Sequence, residues 1–172
     1  MRDSDRAAVY AVEDQVAVAL ERGGVIDFFG STLVLPTERR FGDIASIQRY
    51  VDLVISRLSL PMRRVQPVTV RSRKGATKAH YEPAREGGTA VIAVPIDGVV
   101  GSNWAARETV VLHEITHHIV MTSAVPSTSS HDRYYRGSLV RVYREILGDE
   151  AALVLSSALA AAGLDVAQLE SS

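Results

Sequence analysis

The apolar positions along the chain fall into stretches with two different periods. From Ser4, a natural helix cap, to about Arg22, Ala8, Val12, Val16 and Leu20 recur at helical spacing, and Gly23-Gly24 closes the stretch. The apolar run Val25 to Leu35 predicts strand, ended by Pro36. Asp43 then caps a second amphipathic helix with Ile47, Val51, Val54 and Leu58 on its buried side, stopped before Pro61. Between Pro67 and Ile96 the period shortens. Val68-Thr69-Val70, Ala79-His80-Tyr81 and Ala90 to Val94 read as short strands separated by Gly- and charge-rich turns. A long helix is expected from about Asn103 to Met121, with Trp104 in the core, and Ala124 to Ser130 is a loop by composition. Helical pattern resumes near His131 and runs to about Ala162, broken at Gly148. Helices, a small mixed sheet and more helices, with no repeat or linker, predict an α+β fold and a single domain over residues 1–172.

Composition narrows the chemistry. At 172 residues, 47% apolar and 23% charged, the chain has the balance of an ordinary globular domain with a sizeable core. No apolar run approaches the ~18 residues that span a bilayer, and the polar start Met1 to Asp5 is unlike a signal segment. A soluble, cytoplasmic protein without a membrane partner is therefore expected. There is no cysteine, which excludes disulfides, a thiolate nucleophile and Cys-bound zinc. A transition metal would have to be held by His and carboxylate.

The net charge of −1 argues against a nucleic-acid partner. Residues 61–86 are the local exception, with seven basic side chains (Arg63, Arg64, Arg71, Arg73, Lys74, Lys78, Arg85) against two acidic ones. A solvated strand edge accounts for them; a docking strip for an acidic partner or a phosphate backbone is the sharper alternative.

Chemistry concentrates at His113-Glu114-Ile115-Thr116-His117. Two histidines four residues apart leave a helix on one face, one turn apart, and both rings can reach one tetrahedral ion at about 2.0–2.1 Å. Glu114 then points beside the metal, where a general base for water belongs. With 5 His and 10 Glu in the chain, a chance match has odds of about one in a hundred. Three of those histidines fall within six residues of an otherwise apolar segment, which a solvated helix face does not explain. A catalytic zinc needs a third protein ligand and an open position. His131, fourteen residues beyond His117, is one candidate for it. A carboxylate of the following helix, Glu150 above all, with Asp149 and Glu145 nearby, is the other.

These segments resemble a known group. His113-Glu114-Ile115-Thr116-His117-His118, a short spacer and His131-Asp132-Arg133-Tyr134-Tyr135 look like the active site of the SprT-like zincin metallopeptidases, over about residues 66–147. The whole chain is similar to a family of small bacterial zinc metallohydrolases with a zincin-like fold. The resemblance implies Zn2+ on His113, His117 and His131, Glu114 as base, and an edge strand lining the substrate cleft. Asp132 stands where the SprT-like pattern has Gly, and Tyr135 where it has Phe. The zinc ribbon of many SprT-like proteins needs cysteines that this chain lacks, so their DNA-linked proteolysis is not carried over.

Around the motif, His118 projects about 100° away from His117 and reads as a supporting or surface group. Tyr134 and Tyr135 are packing residues or donors to a developing oxyanion, with Tyr135 the core member by its match to Phe. His80 and Tyr81 are strand residues first, and candidate substrate contacts second. The expected function is a zinc hydrolase, a metallopeptidase acting on a peptide or protein substrate. A zinc hydrolase of small amides or esters, and a catalytically silent zinc-containing binding module, are the alternatives.

Overall fold

The computed structural model describes residues 5–59, 65–74, 78–96, 106–123 and 129–168. Elements alternate as α1 (Arg6–Arg22), β1 (Gly24–Phe28), β2 (Ser31–Leu35), α2 (Ile44–Leu58), β3 (Val68–Ser72), β4 (His80–Glu82), β5 (Ala90–Val94), α3 (Glu108–Thr122), α4 (Arg133–Leu147) and α5 (Asp149–Ala161). The fold is mixed α+β, as the periodicity predicts. The described residues fall into two compact units, 5–38 with 129–168, and those between 39 and 123.

In the first unit, α5 packs against α1, α4 and β2. Val9, Val12, Val16 and Leu20 of α1 and Leu139, Val142, Leu155 and Leu159 of α4 and α5 are all buried. The predicted cap Ser4 lies outside the described residues, and Asp5 occupies the cap position, its backbone carbonyl accepting from Val9 N (2.9 Å) without a side-chain cap bond. α1 ends at Gly23, whose φ is +59° and where a Cβ would stand 2.4 Å from Thr37 Oγ1, so only glycine fits. The apolar run after it is a hairpin rather than one strand. Val25 pairs with Val34 and Phe28 with Ser31. The turn residues Phe29 and Gly30 both have positive φ, 51° and 81°, which matches the right-handed twist of the flanking strands. Between α4 and α5, Gly148 at φ +103° donates its N–H to Tyr143 O and Arg144 O, which ends one helix while the next begins.

In the second unit, a three-stranded sheet of order β3-β5-β4 is parallel between β3 and β5 and antiparallel between β5 and β4. Asp43 caps α2 as predicted, with a reciprocal Asp43–Ser46 capping box. Ile47, Val51, Val54 and Leu58 of α2, Val68, Val70, Ile92 and Val94 of the sheet, and Val111, Leu112 and Ile115 of α3 form the core. Basic Arg71 of β3 forms an ion pair with Glu82 of β4. Arg63 and Arg64 lie outside the described residues.

α3 begins at Glu108, later than the predicted Asn103; Trp104 lies outside the described residues. The backbone just before the helix is committed to other pairing. Arg107 is extended and bridges Arg40, Phe41 N donates to Ala106 O (2.9 Å) and Glu108 N to Arg39 O (3.0 Å). Glu108, 1% exposed, accepts from Arg39 N (2.9 Å), Arg39 Nη1 (2.7 Å) and Tyr50 OH (2.5 Å). Burial, then the charge of Glu108, pushes the Tyr50 phenol far above its ordinary range, so it stays a donor. An acid in the first turn also suits the helix dipole. These bonds fix the N-terminus of the helix that carries the histidines.

Candidate metal centre

Eleven of the fifteen residues of α3 are buried. Surrounded by core on most sides, the helix has little freedom to rotate, so the direction of each polar side chain is set by packing. His113 and Glu114 are each 4% exposed, and His117 is half-buried.

The rings of His113 and His117 stand one turn apart, centroids 4.8 Å apart and inclined at 75°. Their Nε2 atoms are 3.1 Å apart. Two nitrogens bound to one tetrahedral ion at about 2.0–2.1 Å are themselves about 3.3 Å apart. The pair therefore has the separation of two ligands to one ion. Thr116 turns its hydroxyl back onto Leu112 O (2.8 Å), satisfying a buried polar group within the helix.

His131 precedes α4 and is 3% exposed. Its ring packs edge-on to Tyr135 at 4.9 Å and against Tyr10 at 5.4 Å. Asp132 is the N-cap of α4: its Oδ1 accepts from Tyr134 N (2.9 Å) and Tyr135 N (3.1 Å). Glycine at that position would leave those amides without the side-chain acceptor. Tyr135 is fully buried.

The ligand nitrogens of His113, His117 and His131 all lie within 4.8 Å of one another, close enough to hold a metal ion. Among the described residues this is the one cluster of three or more His, Cys, Asp or Glu side chains so placed. The competing carboxylates are elsewhere: Asp149 pairs with Arg144 at 3.4 Å, and Glu150 is exposed in the first turn of α5. His80 is exposed on β4, opposite Ala93, and is not in the cluster. Tyr134 is half-buried with the Arg133 guanidinium 5.4 Å from its ring centre.

His118, 1% exposed, has a partner on each nitrogen. Nε2 is 2.7 Å from Gln66 O and Nδ1 3.1 Å from Tyr81 OH. A carbonyl only accepts, so Nε2 carries the proton and Nδ1 accepts from the tyrosine. Burial holds the His118 pKa below its ordinary value, which keeps the ring neutral. His118 thus ties α3 to β4 and to the chain before β3. Tyr81→Phe will leave Nδ1 buried without that donor and will cost about 1–2 kcal/mol in denaturant unfolding. Unchanged stability would mean that the bond contributes nothing net.

Two residues that matter here were not legible as such. Tyr81 reads in sequence as a strand residue, and Arg136 as an ordinary helix arginine, yet Arg136 is 2% exposed and hydrogen-bonds His131 O at 2.9 Å. Among the described residues no helix is long and apolar enough to cross a membrane. No protein-family model, curated protein or solved structure matches the chain significantly.

Proposed function

We propose that this chain is a zinc-dependent hydrolase of zincin-like fold, and specifically a metallopeptidase. The observation that carries the proposal is the cluster of three histidine side chains, with Glu114 adjacent in sequence to one of them on the same buried helix. Three imidazoles and no thiolate form a donor set that suits zinc and leaves a fourth position for water or substrate.

His113, His117 and His131 would hold the ion. Bound there, zinc supplies Lewis acidity to the attacked carbonyl and to the water that attacks it. Glu114 accepts a proton from that water at its carboxylate and passes it to the leaving nitrogen, which makes bond cleavage and proton transfer one sequence. Burial of Glu114 keeps bulk water from competing for its proton. His118, neutral and bonded at both nitrogens, stays out of the proton traffic and holds α3 to the sheet. The preference for a peptide substrate is supported by the resemblance to SprT-like peptidases and by β4, an edge strand of the sheet that packs on α3.

The test is a peptide library incubated with the zinc-loaded protein and read by mass spectrometry, beside a panel of small amides and esters. Cleavage of internal peptide bonds, stopped by chelator and restored by zinc, is expected. Turnover confined to the small molecules would replace the peptidase reading, and a zinc-loaded protein that cleaves neither would make the chain a binding module.

A further inference from the structure

Arg136 is a buried cation that ties the backbone of one candidate ligand to two other segments of the chain. It sits on the first turn of α4 with its side chain 3% exposed. Nη1 donates to His131 O (2.9 Å) and to Asp5 Oδ2 (2.8 Å). Nη2 donates to Asp165 Oδ1 (2.5 Å), and Nε to the backbone carbonyl Asp165 O (2.6 Å). One planar fork therefore joins the residue before α1, the loop that carries His131 and the segment after α5. A buried guanidinium is costly unless its donors are satisfied, and here two carboxylates and two carbonyls satisfy it. The same segment after α5 is held a second time, by Ala167 N donating to Arg133 O at 3.0 Å.

Resting on the metal reading above, we propose that Arg136 is a positioning residue for the metal centre, fixing the backbone of His131 so that its ring is delivered in a ligating orientation. Three features carry this. His131 lies in an irregular segment ahead of α4, and Arg136 Nη1 donates to its backbone carbonyl at 2.9 Å. The His131 ring packs between Tyr10 and Tyr135, at centroid distances of 5.4 and 4.9 Å, which restricts its tilt. The Asp132 cap fixes the start of the helix, and Arg136 fixes the residue before the cap. Lysine cannot replace the fork, because one ammonium cannot face four acceptors in the plane that a guanidinium spans.

The experiment is zinc affinity of the full chain by competition with a chromophoric chelator, for wild type, Arg136→Lys and Asp165→Ala. Circular dichroism and thermal unfolding of the metal-free proteins are recorded alongside. Cobalt(II) substitution adds a readout that a merely structural role would not move, since the visible absorption reports the coordination geometry. Arg136→Lys is expected to fold, to bind zinc about 10–100-fold more weakly, and to lose intensity in the cobalt spectrum. A folded Arg136→Lys with wild-type affinity and spectrum overturns the proposal. Should Arg136→Lys fail to fold, Asp165→Ala decides, because its carboxylate is 70% exposed and its loss spares the core. Several-fold weaker zinc binding supports the proposal, and unchanged binding overturns it. A wild type that binds no zinc fails the metal reading itself, whereas a wild type that binds zinc beside variants that bind it equally fails only the role of Arg136.

Discussion

Glu114→Gln will keep zinc on the protein and remove hydrolysis, by about 10²–10⁴-fold in turnover. The substitution preserves the size and shape of a side chain that is 4% exposed, so packing of α3 changes little. What it removes is the basic carboxylate. An amide oxygen does not take a proton from water near neutral pH, whereas a carboxylate beside a Lewis acid does. In the proposed site the metal is held by histidines and not by Glu114, so its stoichiometry should be unaffected. Turnover of the best library peptide and zinc content are measured on the same preparation. Full activity in a zinc-loaded Glu114→Gln protein would place the base elsewhere and dismantle the mechanism. Lost activity together with lost zinc would instead make Glu114 part of the metal site.

Zinc will also stabilise the fold measurably. His113 and His117 are preset by one helix, but His131 comes from a separate segment, and an unfolded chain holds no such site. Binding free energy therefore adds to stability, by about 2.7 kcal/mol at a free zinc concentration one hundred times Kd. For a chain of this length about 2–4 °C of Tm accompany each kcal/mol, so calorimetry with and without chelator should differ by about 5–11 °C. The difference should vanish in His113→Ala and in His117→Ala, each of which removes a nitrogen of the close pair. Equal Tm in zinc-saturated and chelator-treated wild type would mean that no ion binds the folded state in preference.

How far the sequence reveals this arrangement depends on whether the signal is local. Asp43 and Gly148 are legible because a cap and a left-handed break act on their own backbone. The His-Glu-x-x-His spacing is legible for the same reason, since one helix places both rings. The start of α3 is not, because Ala106 and Arg107 are drawn into pairing with residues 39–41, more than sixty positions earlier. The hairpin between Val25 and Leu35 is hidden by Phe29, a residue that turn chemistry does not favour at positive φ. At the site, the distance between His131 and the helix pair is a tertiary fact, so spacing alone left Glu150 in contention. Arg136 is the extreme case, for nothing within its own helix distinguishes a buried arginine from a solvated one. Asp132, a departure from the pattern that the chain resembles, becomes intelligible as a helix cap once its bonds to Tyr134 N and Tyr135 N are seen.

The most direct test of the metal centre is elemental analysis of the purified, zinc-incubated wild type beside His131→Ala and Glu150→Ala. The cluster of His113, His117 and His131 predicts one zinc per chain in wild type and in Glu150→Ala, and a large loss in His131→Ala. Loss with Glu150→Ala but not with His131→Ala would move the third ligand to the carboxylate, and a wild type without zinc would contradict the metal centre altogether.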